Sequence, residues 1–199
     1  MGRTSPDPVE NFGPTFPREN HLKPQLELNQ ESAQARLEAL NSATESELRE
    51  LFHQVCHSQK WATDMARCAP FDSLEDLKDR GEDCWSRCQE PDWRDALNGH
   101  PRIGEKSQKS GLSAAWSKKE QSQAQSEDAE LMEQLKEAQE QYFRKFGFIF
   151  LICATGKSTE EILHAVETRL QNSPAQEIQK VAQEQGKINQ LRLEKLITP

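Results

Sequence analysis

The fold is decided by residues 174–197, which read PAQEIQKVAQEQGKINQLRLEKLI. A proline is favoured in the first turn of a helix, where its missing N–H is not needed. Apolar residues then recur at helical spacing and form one stripe, whose members are Ile178, Val181, Ala182, Ile188, Leu193 and Leu196. The pattern predicts one long amphipathic helix that starts at Pro174, reaches about Ile197 and buries one face.

Helical patterns continue upstream as far as Glu31. Thr44–Glu47 and Ser158–Glu161 match the capping box, in which a hydroxyl and a carboxylate satisfy the first backbone N–H groups of a helix. Further helices are indicated from Ser73, from Pro91 and from about Ser126 to Phe146, the last with Gly147 as its C-cap. The chain is therefore predicted to be all-α, a single compact bundle of about seven to nine helices.

Three segments depart from this pattern. Residues 1–30 contain five prolines and no periodicity, which predicts a disordered or loosely packed N-terminal tail before one helical domain at 31–199. Residues 105–112 are predicted to form a polar loop. Phe148–Ala154 is the most apolar run of the chain, and since no partner strand is evident, it is predicted to be a buried helical or extended segment.

Composition excludes several classes of function. The net charge is −8 and no long basic run interrupts it, which argues against a nucleic-acid partner. No apolar stretch approaches the roughly 20 residues that a bilayer requires. The N-terminus lacks a signal-peptide core and the C-terminus is not a peroxisomal address, so a cytoplasmic protein is expected. Five cysteines are an odd number, which indicates reduced thiols.

His100 is the first candidate catalytic residue. It lies in Gly99-His100-Pro101-Arg102-Ile103-Gly104, and a proline disfavours the α conformation in the residue before it. An imidazole on such a short turn is positioned to exchange protons near neutral pH. A histidine in a tight turn is also often a hydrogen-bonded structural residue, and this interpretation stays open from His100 alone.

A second motif, Ser117-Lys118-Lys119-Glu120-Gln121, follows seventeen residues after the histidine. Ser117 and Glu120 also fit a capping box, which would make Ser117 the start of a helix. Little apolar periodicity follows the motif until Leu131. The second interpretation is therefore that Ser117, Glu120 and Gln121 belong to a functional site.

Two arginines lie on apolar helix faces. Arg192 falls near the middle of the stripe in the last helix, and Arg169 lies nearer the edge of the apolar face of the preceding helix. A guanidinium cannot be buried without a carboxylate, carbonyl groups or a ligand anion. Either arginine is thus a candidate anion anchor, although a side chain that reaches solvent at a helix end is the alternative.

Metal ligands are weakly indicated. His53, Cys56 and His57 lie within one helical turn, and Cys84 and Cys88 are four residues apart. Zinc sites usually combine two paired-ligand motifs at set spacings, which these clusters do not supply. No metal is therefore predicted, and a small metalloprotein remains the less favoured alternative.

The chain resembles the OHCU decarboxylase family, cofactor-free enzymes of urate degradation that act on 2-oxo-4-hydroxy-4-carboxy-5-ureidoimidazoline (OHCU). The resemblance spans about residues 35–197. It is carried by Leu37–Asn41, Ser58–Trp61, Pro70–Ser73, Gly99–Gly104, Ser117–Gln121, Lys145–Phe148 with the apolar run, Glu184–Ile188 and Arg192–Leu193. The spacing between the histidine turn and Ser117–Gln121 is the most specific part of the match.

The resemblance implies an all-helical, homodimeric enzyme that forms (S)-allantoin and carbon dioxide without a cofactor, in the cytoplasm or the peroxisome. His100 and Glu120 correspond to the family's catalytic histidine and carboxylate. The implied substrate-binding residues are Pro101, Ser117, Gln121, the backbone of Phe150, Leu151, Ile152, Cys153 and Ala154, and an arginine, with Arg192 favoured over Arg169. The alternative is a non-catalytic helical protein-interaction module, in which these polar residues would point separately into solvent.

Overall fold

The computed structural model describes residues 32–103, 112–121 and 128–198. These residues form nine α-helices and no strand, which confirms the predicted all-α bundle. The helices are α1 (Ala33–Ser42), α2 (Glu45–Val55), α3 (Gln59–Arg67), α4 (Leu74–Ser86), α5 (Glu90–Leu97), α6 (Leu112–Gln121), α7 (Ala129–Phe146), α8 (Thr159–Arg169) and α9 (Pro174–Ile197). The predicted tail at residues 1–30 lies outside the described residues.

Local sequence signals determine where these helices begin and end. The predicted capping boxes at Thr44 and Ser158 are both formed, and Pro174 opens α9 behind a third box at Ser173. Asp128 caps α7, which therefore begins three residues later than the sequence suggested. Gly147 ends α7 with φ of 76°, a left-handed conformation that glycine adopts without a steric penalty.

Helix α9 connects two hydrophobic clusters. The first lies among α1–α5, where Phe52, Trp61 and Leu77 pack against Leu193 near the end of α9. The second lies among α7, α8 and the segment after α7, and it receives Ile178 and other residues from the first half of α9. A 24-residue helix extends about 36 Å at 1.5 Å per residue. One continuous helix is therefore long enough to serve both clusters.

The apolar segment Phe148–Ala154 forms neither a helix nor a strand. The left-handed Gly147 turns the chain away from the axis of α7, and Phe150 then packs edge-on against Tyr142 with ring centroids 5.2 Å apart. Burial of a large apolar side chain such as Phe150 contributes about 1.5–3 kcal/mol. The sequence left a helical and an extended conformation open for this run, and the structure shows no helix there.

Of the predicted polar loop at 105–112, residues 105–111 lie outside the described residues, and Leu112 already belongs to α6. Among the helices that the structure describes, none is long and apolar enough to cross a membrane. Within the same part of the chain, no group of three or more His, Cys, Asp or Glu side chains is arranged to hold a metal ion.

Candidate active site

His100 is placed by the turn that ends α5. The backbone N–H groups of Gly99 and His100 donate to the carbonyls of Ala96 and Leu97, each at 3.1 Å. A Cβ atom at Gly99 would lie only 2.1 Å from Nδ1 of His57. Since side chains cannot approach that closely, only glycine fits between the turn and the His57 ring. Pro101 then prevents the helix from continuing, so the imidazole is held at a short turn.

The ring of His100 is oriented by an amide on α9. Nε2 of His100 lies 2.9 Å from Oε1 of Gln185, and Nε2 of Gln185 donates to Oδ1 of Asn189 at 2.8 Å. Both amide side chains are buried. Because Gln185 uses its N–H group toward Asn189, its oxygen faces the imidazole. A neutral ring bonded in this way carries its proton on Nε2 and its lone pair on Nδ1.

His100 lines a small cleft that is partly open to solvent. Among the residues predicted from the sequence to bind substrate, Pro101, Ser117 and Phe150–Ala154 line the same cleft. No role in the site was predicted from the sequence for the other residues that line the cleft, which are Ile103, Thr155, Ile188 and Leu191. A small cleft with mainly apolar walls and a few polar groups is the usual form of a small-molecule site.

The segment Phe150–Ala154 in the cleft wall is held by side chains from two helices. Nη1 of Arg169 donates to the carbonyl of Leu151 at 2.7 Å, and the backbone N–H of Cys153 donates to Oε2 of Glu184 at 3.0 Å. The carbonyl of Ala154 accepts from the N–H of Lys157. These three backbone groups already have partners within the protein, so backbone recognition of a ligand is left to the other groups of the segment.

Glu184 carries a negative charge behind this segment. Burial by itself would raise the pKa of its carboxyl group, but hydrogen bonds from Lys187 and from the Cys153 N–H, together with the charges of Lys187 and Lys180, lower that pKa below 4.5. Nζ of Lys187 lies 2.7 Å from Oε1. The carboxylate is therefore ionised at neutral pH and positions the backbone of Cys153 through a charge-assisted hydrogen bond.

Arg192 occupies the position predicted from the stripe in α9 and is fully buried. It donates through Nη1 to the carbonyl of Val55 at 3.0 Å and through Nη2 to the hydroxyl of Ser117 at 3.2 Å. Its guanidinium lies 6.0 Å from the ring centroid of Trp116. Arg192 does not itself line the cleft, but it fixes the hydroxyl of Ser117, which does.

A model of the OHCU decarboxylase family matches residues 41–194. The chain belongs to the OHCU decarboxylase family. It is 36% identical over 146 residues to the "Uric acid degradation bifunctional protein TTL" of Arabidopsis thaliana, a match that covers 72% of this chain and 45% of that protein. It is 42% identical over 103 residues to an OHCU decarboxylase of Amia calva, covering 49% of this chain and 57% of the relative. The chain thus spans about half the length of these two relatives.

A solved structure gives a more complete match. A "crystal structure of OHCU decarboxylase in the presence of (S)-allantoin" shares 32% sequence identity, and the alignment covers 75% of this chain and 99% of that one with a TM-score of 0.66. The cleft at His100 therefore belongs to an OHCU decarboxylase fold whose relative was crystallised together with that compound.

Two expectations about this family member change with the structure. Ser117 lies well inside α6, so the alternative that it starts a helix as a capping residue is wrong. Arg169, the second candidate for an anion anchor, has its charge compensated by Glu177, whose Oε1 lies 2.5 Å from Nη2. Since Arg169 also holds the Leu151 carbonyl and is not among the cleft residues, the structure gives its role as a substrate anchor no support.

Glu120 and Gln121 form the last residues of α6, but their side chains lie outside the described part of this family member. Their assignment as catalytic and substrate-binding residues stays a prediction. Ser117, one turn earlier on the same helix, is buried at the cleft. Residues three apart share one face of a helix, so the backbone of α6 carries position 120 on the face that bears Ser117.

Sequence reasoning missed the contribution of three α9 residues in this family member: Glu184, Gln185 and Asn189. The first two belong to the run Glu184–Ile188 that carried the resemblance, but no role was assigned to them. The sequence did contain a signal for them, because these three polar residues lie on the same helix as the apolar stripe. Polar groups that are buried with such a face need specific partners.

Proposed function

We propose that this chain is a decarboxylase that converts OHCU to (S)-allantoin and carbon dioxide in urate degradation, without a metal or coenzyme. The observation that carries the proposal is the cleft lined together by the oriented imidazole of His100, by Ser117 and by the segment Phe150–Ala154. Family membership and the solved relative with (S)-allantoin support it. The alternative of a non-catalytic interaction module predicted that these polar residues would point separately into solvent. Against it, His100 and Ser117 line one cleft, and Arg192 donates to Ser117.

The substrate itself provides the electron sink for this reaction. When the bond to the carboxylate breaks, its electron pair passes into the conjugated imidazoline, and an enolate-like intermediate forms. The protein must then bind the heterocycle, orient the carboxylate out of the ring plane and control where a proton is added. A small cleft with fixed polar groups is suited to these tasks.

In this proposal His100 exchanges the proton. With Nε2 held by Gln185, the imidazole of His100 accepts a proton from the substrate hydroxyl or, once protonated, delivers it to the new carbon centre. Delivery from a single fixed ring to one face of the intermediate gives one enantiomer. Glu120 is proposed as the partner carboxylate and Gln121 as a binding residue, as the family resemblance implies.

Arg192 is proposed to act through Ser117. The substrate is anionic, and a buried guanidinium directly behind a cleft hydroxyl makes that side of the site electropositive. Pro101 and the backbone of Phe150–Ala154 complete the binding surface. The further elements of the proposal, which come from the resemblance, are a homodimer and a cytoplasmic location, with the peroxisome as the alternative.

The experiment that tests this function replaces His100 by asparagine and follows freshly prepared OHCU by circular dichroism. The uncatalysed reaction gives racemic allantoin, whereas the enzyme is expected to give one enantiomer. General acid–base catalysis contributes about 10²–10⁴-fold, so His100→Asn is expected to lose at least about 100-fold in rate. His164, an exposed histidine on α8, provides the matched control His164→Asn, which should retain full activity. Full stereospecific activity in folded His100→Asn protein would refute the assignment.

A further inference from the structure

Two of the five cysteines meet at the interface of α3 and α4. Cys68 is the C-cap residue of α3 and Cys84 lies in α4, and their sulfur atoms are 3.8 Å apart. Both are free thiols. A disulfide bond requires the sulfur atoms to approach to about 2.05 Å, so a shift of less than 2 Å separates this contact from a covalent bond.

The two thiols differ in accessibility. Cys68 is partly exposed, whereas Cys84 is buried. Burial, reinforced by the neighbouring Cys68, raises the pKa of Cys84 to about 12, so Cys84 is a neutral thiol in the resting protein. Nη2 of Arg87 lies 3.3 Å from its sulfur, and this positive charge stabilises negative charge that develops there during a reaction. An oxidant dissolved in water therefore reaches Cys68 first.

We propose that Cys68 and Cys84 form a reversible oxidation site that hydrogen peroxide converts into an intramolecular disulfide. The sulfur of Cys68 attacks one peroxide oxygen, the O–O bond breaks, and Cys68 becomes a sulfenic acid while one water leaves. The sulfur of Cys84 then attacks the sulfur of Cys68. The S–S bond forms, the S–O bond breaks, and the hydroxyl leaves as a second water with the proton of Cys84. The two thiols lose two electrons and the peroxide gains them.

The other cysteines are not placed for the same reaction. Cys88 donates its S–H to the carbonyl of Cys84 at 3.4 Å. It is buried two residues beyond the end of α4, where that carbonyl engages its S–H. Cys56 is fully buried, and Cys153 lines the cleft. The structure therefore predicts one cross-link rather than a mixture.

The cross-link would join α3 to α4 through a short loop. Sixteen positions separate the two cysteines, and closing such a loop restricts the unfolded chain. A restricted unfolded chain has less entropy, which stabilises the folded protein. For a chain of this size Tm is expected to rise by about 6–12 °C. Neither cysteine lines the cleft, so this stabilisation is independent of the proposed decarboxylase activity and is measured without any substrate.

The test treats the reduced full-length protein with hydrogen peroxide and determines its intact mass, its cysteine-containing peptides and its Tm. The expected result is a loss of about 2 Da, equal to two hydrogens, a single linked peptide pair that contains Cys68 and Cys84, and a higher Tm that dithiothreitol reverses. Cys68→Ser and Cys84→Ser should abolish the cross-link, and the matched control Cys88→Ser should keep it. The proposal is overturned by oxygen addition without a cross-link, by another cysteine pairing or by an intermolecular disulfide. The peptide map of the unmutated protein distinguishes these outcomes even if a variant fails to fold.

Discussion

Replacing Glu177 by glutamine removes the negative charge at the centre of a buried network between α7, α8 and α9. Glu177 is fully buried. Its Oε1 accepts from Nε of Arg169 at 2.8 Å and from the hydroxyl of Tyr142, and its Oε2 accepts from Nδ2 of Asn172 at 2.7 Å. Arg169 in turn holds the carbonyl of Leu151 in the cleft wall. Glu177→Gln leaves the guanidinium buried without its counter-charge.

The expected cost follows from the burial of both partners, whose side chains are 7% and 0% exposed for Arg169 and Glu177. Breaking a buried pair by removing one charge destabilises a protein by about 3–5 kcal/mol, because the remaining charge stays desolvated. At about 2–4 °C per kcal/mol for a chain of this length, Tm should fall by about 6–20 °C. The free energy of unfolding in urea should fall by the same 3–5 kcal/mol, with an unchanged denaturant slope.

A surface pair provides the matched control. Glu133 bonds Lys136 at 3.2 Å, and both side chains are at least 60% exposed, so Glu133→Gln should change stability by about 0–1 kcal/mol. The double variant Arg169→Met with Glu177→Leu should recover part of the loss, because it removes both buried charges. If Glu177→Gln costs no more than Glu133→Gln, the reasoning about this network is refuted.

Two further predictions concern α9. Gln185→Leu removes the acceptor that orients His100 and should lower kcat by about 100-fold while the thermal transition stays cooperative. The exposed Gln134→Leu should leave kcat unchanged, and equal kcat values in the two variants would contradict the positioning role. Glu184 has a pKa below 4.5 in the folded protein, so its contribution to stability is present above about pH 4.5 and is lost as the pH falls through that lowered pKa. Urea unfolding between pH 3 and pH 7 should therefore show a weaker acid destabilisation in Glu184→Gln, and superimposable profiles would argue against it.

Much of the fold could be predicted because helix formation depends on residues that are close in sequence. The boxes at Thr44 and Ser158 act over three residues, and the stripe of α9 repeats every three or four. These local rules give the start of α9 at Pro174 and place Arg192 on its apolar face. They fail where two local patterns compete. Ser117 fits a capping box equally well, but α6 extends in front of it. The apolar run Phe148–Ala154 fits a helix or an extended segment equally well, but it packs against α7 without forming a helix.

The candidate site was predictable only where a residue type and its spacing carried the information. His100 was identified on that basis, the family resemblance added Pro101 and Ser117, and all three line one cleft. The difference between the two arginines was not predictable, because both lie on apolar faces. It depends on the partner that each one meets: a carboxylate for Arg169, and a carbonyl and a cleft hydroxyl for Arg192.

The amino-acid sequence by itself determined the helical class, most helix ends and the residue types of the site, because these depend on short-range backbone and side-chain chemistry. Only the tertiary structure decided that Gln185 meets His100 across 85 positions of the chain, and that Cys68 meets Cys84 between two helices. Such contacts depend on how whole helices pack around α9, and side chains that are distant in sequence carry no local signal of which partner they will meet.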